Sequence, residues 1–109
     1  MTEALFVNGS PRIEWSTAQL LGQARQAAAD AGAVTDLINL YEVTYQGCTS
    51  CFGCKLKNVK TKGICVFRDA LTPILNKAMA ADVIVIGSPI YFGYPTGEAR
   101  SFMERLMFP

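Results

Sequence analysis

Short apolar runs alternate along this chain with longer segments whose apolar residues return every three or four positions. Ala4 to Asn8 (A-L-F-V-N) is the first such run, closed by Gly9-Ser10-Pro11. An apolar run bounded by turn residues reads as a fully buried strand. Thr17 to Ala31 follows, with Leu20, Leu21, Ala24, Ala27, Ala28 and Ala31 at helical spacing and Gly32 where the helix should stop. Ser16 or Thr17 is the expected N-cap. Val34 to Leu40 reads as a second strand, and residues 43–68 as an irregular loop. Asp69 to Ala81 reads as a second helix with Leu71, Ile74, Leu75 and Ala78 on one face. Asp82 to Gly87 (D-V-I-V-I-G) is the most strand-like segment. A third helix is expected to begin near Thr96 or Gly97 and to run through Phe102 and Leu106.

The predicted order is β-α-β-loop-α-β-α. Strands that are apolar on both faces and alternate with helices imply a parallel sheet covered on both sides, a three-layer αβα arrangement. Three parallel strands make a small sheet with an apolar edge left unpaired. The chain is therefore expected to be the N-terminal portion of a larger domain, cut after the third strand and helix. The alternative is a complete small domain that hides its edge by dimerising.

With 109 residues, half of them apolar, the chain suffices for one core. A net charge of +1 gives no global field for nucleic acid or membrane. The start, Met1-Thr2-Glu3, is acidic where a secretory signal is basic, and the longest aliphatic run, Val83 to Ile86, is too short to cross a bilayer. A cytoplasmic protein is the expectation. There is no histidine, which removes Ser-His-Asp and Cys-His nucleophiles and imidazole-bound zinc.

In open α/β sheets, ligands bind beyond the carboxyl ends of the strands where strand order reverses. For the doubly wound order 2-1-3-4-5, that crevice lies between strands 1 and 3, and the loops that follow them meet there. Gly9 to Thr17 (G-S-P-R-I-E-W-S-T) offers hydroxyls at Ser10, Ser16 and Thr17, a cation at Arg12 and a helix N-terminus, a combination that suits a phosphate. It has neither the Walker spacing nor G-x-G-x-x-G, and by itself also fits an ordinary capped helix start. Gly87 to Gly97 (G-S-P-I-Y-F-G-Y-P-T-G) sets Tyr91, Phe92 and Tyr94 among prolines and glycines. A flat isoalloxazine ring would give these aromatics a partner; a hydrophobic plug or a dimer contact would do so as well.

All four cysteines lie in a loop spanning residues 46–66, as C-x2-C-x2-C-x10-C: Cys48, Cys51, Cys54 and Cys65. Four convergent thiolates suit a [4Fe–4S] cluster. Tetrahedral zinc and free thiols are the alternatives, and a disulfide is not expected in a reducing cytoplasm. Lys55, Lys57, Lys60, Lys62 and Arg68 make up half of the ten basic residues, and no acid lies between Glu42 and Asp69. Such a loop would stabilise an anionic cluster, dock NADPH or an acidic redox partner, or simply be solvated.

V-N-G-S-P-R with S-T at the helix start, C-T-S-C-F-G-C, and D-V-I-V-I-G-S-P-I-Y-F-G together resemble the flavodoxin-like NAD(P)H-dependent FMN reductase family, including its iron–sulfur flavoprotein branch. The resemblance spans essentially the whole chain. It implies FMN phosphate contacts from Ser10, Arg12, Ser16 and Thr17, and ring and ribityl contacts from Pro89, Ile90, Tyr91, Phe92 and Gly93. Trp15-Ser16 stands where the family usually has Gly-Asn, and the last cysteine gap is longer than usual. A third flavin-contacting loop of the family lies beyond the position of Pro109, so this segment is expected to bind FMN more weakly than a longer chain.

The implied function is electron transfer from NAD(P)H or a cluster through FMN to a small acceptor such as a flavin or quinone, or to a redox protein. A homo-oligomer built around the flavin is expected. The competing functions are an electron carrier without turnover and a metal- or thiol-binding module that has lost flavin.

Overall fold

The structure, a computed structural model, describes residues 2–55 and 63–109. Its elements are β1 (Glu3–Asn8), α1 (Ser16–Asp30), β2 (Val34–Asn39), short 3-10 turns at Leu40–Glu42 and Gly53–Lys55, α2 (Thr72–Ala80), β3 (Val83–Gly87) and α3 (Gly97–Met107). The strands form one parallel sheet in the order β2-β1-β3. Glu3 lies opposite Val34 and Asn8 opposite Asn39, while on the other side Ala4 lies opposite Val83 and Asn8 opposite Gly87. The strand order thus reverses at β1, whose carboxyl end is central.

Successive side chains of a strand point to opposite faces, and β1 is apolar at every position from Ala4 to Val7. Leu5 and Val7 enter a core with Leu40, Leu71, Ile74, Leu75, Ala78 and Phe102. Ala4 and Phe6 enter a second with Leu21. The first core belongs to α2 and α3 and the second to α1, so the layers are α1, sheet, and α2 with α3. This is the expected flavodoxin-like αβα arrangement. No helix among the described residues is long and apolar enough to cross a membrane.

Three details depart from the sequence reading. Neither Ser16 nor Thr17 is the N-cap of α1: Trp15 occupies that position in extended backbone and gives no side-chain bond. Helix α2 begins at Thr72 rather than Asp69. A turn precedes it, in which the Asp69 N–H donates to Thr72 Oγ1 and Asp69 Oδ1 accepts from the Leu71 N–H, local bonds that compete with helix and favour its start. Of the apolar positions of α1, only Leu21 is buried, and Leu20 is 72% exposed. Ala24, Ala28 and Ala31 instead line an open groove with Val83 and Val85, because β3 pairs with β1 alone among the described residues and its outer edge is uncovered.

Candidate functional site

Two loops meet at the carboxyl end of the sheet, and backbone bonds join them. The Gly9 N–H donates to Gly87 O at 2.7 Å. Asn8, fully buried, donates to Asn39 Oδ1 and accepts the Ser10 N–H on its own Oδ1. Ser10 Oγ in turn accepts the Arg12 N–H at 3.1 Å. Ser10 is only 5% exposed, and the bond to its hydroxyl shapes the loop. Arg12 and Ser16 are exposed, and the Arg12 guanidinium stacks 4.7 Å from the centre of the Trp15 ring. Thr17 is half-buried with Cγ2 against Gly87. The N-cap residue of α1 gives no side-chain bond to the first turn, which leaves leading N–H groups free of a capping acceptor, the condition that suits an anion.

Thr96 binds the loop after β3 to the loop after β1. It is fully buried. Its Oγ1 donates to Gly9 O at 2.6 Å and accepts the Ala99 N–H as the N-cap of α3, while its N–H donates to Ser88 Oγ. Glycine is required at position 9, because a Cβ there would stand 2.8 Å from Ala99 Cβ and 3.1 Å from Gly87 O. Neither Asn8 nor Thr96 stood out in the sequence as a site organiser. A polar residue closing an otherwise apolar strand was the available signal for Asn8.

The predicted ring-contacting residues divide into two groups. Pro89, Ile90 and Gly93 line an open groove with Tyr94 and Met103. Tyr91 and Phe92 form the outer part of a tight hairpin closed by the Tyr91–Tyr94 pair, with N–H···O distances of 2.8 and 3.0 Å. Phe92 (φ 52°) and Gly93 (φ 80°) both have left-handed backbone, the geometry of a type I′ turn. Phenylalanine is costly there, and this one is fully exposed at 101%. Backbone strain under a bare aromatic points to a ligand or partner at the tip. Phe92→Asn is expected to stabilise the free chain by about 1 kcal/mol, since Asn tolerates this backbone, and to weaken FMN retention. A denaturant midpoint and an FMN titration check both, and unchanged FMN affinity would remove Phe92 from the site.

The cysteine loop packs along α3. The Tyr45 hydroxyl donates to Glu98 O, and burial, with the Glu98 carboxylate nearby, pushes its pKa up. The Cys48 N–H donates to Glu104 Oε1 at 3.2 Å. Cys48 and Cys51 are exposed, Cys65 is half-buried and Cys54 is buried, yet all four line one shallow pocket. Gly53 brings the two ends of the motif together: a Cβ there would overlap Val66 Cγ2 at 2.2 Å. Ser50 and Phe52, on either side of Cys51, have φ near +58° and +59°. Among the described residues no three cysteines or carboxylates are grouped to hold a single metal ion. Four thiols around one pocket are the donor set that a cubane cluster takes. Lys57, Lys60 and Lys62 of the basic stretch lie outside the described residues.

Sequence reasoning missed Arg105. It is 2% exposed and borders the cysteine cavity. It donates to Asp69 Oδ2 at 2.6 Å, Phe67 O at 2.8 Å, Gln46 O at 3.2 Å and Cys65 Sγ at 3.5 Å. Burial opposes its charge, but the bonds to Asp69 and Cys65 outweigh this and hold its pKa above the ordinary value.

Comparison with known proteins agrees with this architecture. The chain matches the NADPH-dependent FMN reductase family over residues 2–108. It is 35% identical over 103 residues to an iron-sulfur flavoprotein of Methanocaldococcus jannaschii, covering 94% of this chain and 51% of the relative. An iron-sulfur flavoprotein of Archaeoglobus fulgidus is 33% identical over 101 residues, covering 93% and 47%, and one of Methanosarcina thermophila 26% identical over 99 residues, covering 91% and 49%. The chain spans about half the length of these curated relatives. With the sheet order, the paired loops and the cysteine motif in place, the chain belongs to the NADPH-dependent FMN reductase family, on its iron–sulfur flavoprotein branch.

Proposed function

We propose that this chain forms the flavin- and cluster-holding part of an FMN-dependent oxidoreductase that passes electrons between a [4Fe–4S] cluster or NAD(P)H and a small acceptor, a flavin or quinone, or a redox protein. The observation that carries the reading is the placement of α3. Its N-terminus is built into the crevice loops through Thr96 and Gly9, and its C-terminal half forms a wall of the cysteine cavity through Glu104 and Arg105. From Gly97 to Arg105 the helix rises about 12 Å, so one rigid element spaces the two centres.

The roles of the chain's own residues follow. The uncapped first turn of α1 with Arg12, Ser16 and Thr17 receives the phosphate, over a loop shaped by Asn8 and Ser10. Pro89, Ile90, Tyr91, Phe92 and Gly93 cover the ring and exclude water from it. Cys48, Cys51, Cys54 and Cys65 hold the cluster. FMN, when bound, supplies hydride and single-electron chemistry. The bare aromatic tip would be covered in a homo-oligomer assembled around the flavin. The proposed setting is the cytoplasm, whose reducing potential keeps the thiols available as ligands.

The test is a visible spectrum of the chain purified without oxygen, given FMN before desalting and then ferrous iron and sulfide. Retained flavin bands over a broad brown absorbance that bleaches with dithionite are the expected result. A sample that is colourless both for this chain and for a longer chain carrying it would overturn the reading in favour of a thiol or metal module. Steady-state NAD(P)H oxidation with a quinone or free flavin then separates enzyme from carrier, since a carrier turns over almost none.

A further inference from the structure

We propose that Arg105 is a positioning residue of the cysteine site: it ties the two ends of the cysteine loop together and, by donating to the Cys65 sulfur, raises the reduction potential of the cluster held there. This rests on the cluster reading above and goes beyond it, because it assigns the control of potential to a residue of α3.

Arg105 holds both flanks of the motif. Gln46, which accepts from Nη1, lies two residues before Cys48, and Phe67, which accepts from Nη2, lies two residues after Cys65. The guanidinium also sits 5.1 Å from the centre of the Phe67 ring. Asp69 balances its charge through the same Nη1. For folding, an ion pair and two carbonyls suffice. The Nε–H instead points at Cys65 Sγ, and a neutral thiol is a weak acceptor. A donor so placed is worth far more when the sulfur is an anionic ligand.

Hydrogen bonds to cluster sulfurs and nearby charge are among the levers that set a cluster's potential. A donor favours the state with more negative charge, which is the reduced one. The pocket also carries a carboxylate: Glu104 accepts the Cys48 N–H, with Arg100 Nε 3.4 Å from its other oxygen. Among the described residues Arg105 is therefore the buried cation of this pocket, and it meets a sulfur at Cys65. Lysine cannot replace it in full, because a single ammonium does not reproduce the planar fork.

The experiment is a dithionite redox titration of the chain reconstituted with ferrous iron and sulfide, with iron content and circular dichroism recorded on each sample. Two variants are compared with the parent. Arg105→Lys keeps the charge, and the double variant Arg105→Gln with Asp69→Asn removes both charges as a neutral pair. A lower midpoint is expected in both. The double variant should shift the reduced-to-oxidised ratio at least tenfold, about 59 mV for a one-electron couple, and Arg105→Lys should recover part of that shift. A folded Arg105→Lys chain that fails to load iron would also support the assignment, through the tie between the loop ends. A loaded, folded variant with the parent's midpoint overturns it and leaves the cluster reading intact. Failure of both variants to fold overturns it too, since the guanidinium would then serve the fold alone. A parent chain that takes up no iron and sulfide overturns the cluster reading and this inference together.

Discussion

Asp69→Ala is expected to cost about 3–5 kcal/mol of folding stability, the range for stripping one partner from a buried ion pair. The Arg105 side chain is completely buried and Asp69 is 17% exposed, with 2.6 Å between Nη1 and Oδ2. Without the carboxylate, a guanidinium would remain in the core beside two carbonyls and a sulfur. The Leu71 N–H at the entry to α2 would lose its acceptor as well. Against a total of roughly 5–15 kcal/mol for a domain, much of the population would unfold. Asp69→Asn separates the two causes, because the amide oxygen still accepts from Leu71 while the charge is gone. Urea denaturation measures both variants. A loss below about 1 kcal/mol for Asp69→Ala would place the pair in the class of surface bridges and contradict the burial argument.

Gly9→Ala is the second large effect. The added methyl would stand 2.8 Å from Ala99 Cβ, 3.1 Å from Gly87 O and 3.3 Å from Thr96 Oγ1. Two of these neighbours cannot swing away: one is backbone of the adjacent strand and the other is the stub of a helical alanine. The relief open to the fold is a shift of α3 away from β1, which stretches the Thr96-to-Gly9 bond of 2.6 Å. Overpacking of this kind costs about 1–3 kcal/mol. The functional consequence is larger, because the same shift parts the two loops proposed to hold FMN. Loss of flavin retention in a chain that still unfolds cooperatively is the expected outcome. Parent-like FMN binding would show that the loops are positioned independently of α3.

Both predictions concern residues whose roles became visible only in three dimensions, whereas the fold itself was largely legible along the chain. The run from Ala4 to Asn8, the β-branched run ending at Gly87 and the spacing of Leu71, Ile74, Leu75 and Ala78 are local patterns, and backbone periodicity reads them without knowledge of neighbours. Burial on both faces of β1 follows from the absence of polar alternation there. The pairing of a phosphate-suited loop with an aromatic loop was legible too, since parallel topology sends both to the same end of the sheet. Helix α1 was read less well. Its apolar spacing is helical, but which apolar positions are covered depends on the width of the sheet beneath them, and Leu20 is left in solvent.

What the sequence by itself determined is therefore the α/β order, the crevice loops and a four-thiol loop, because each is a property of nearby residues. What only the tertiary structure decided is long-range. Arg105 reaches Cys65 across 40 residues and Asp69 across 36, and Thr96 reaches Gly9 across 87. No local pattern marks an arginine on an amphipathic helix as buried, since the same residue on an exposed turn would look identical. Its partner, its burial and its aim at a sulfur are set by how α3 docks against the loop, and that docking minimises the free energy of the whole chain.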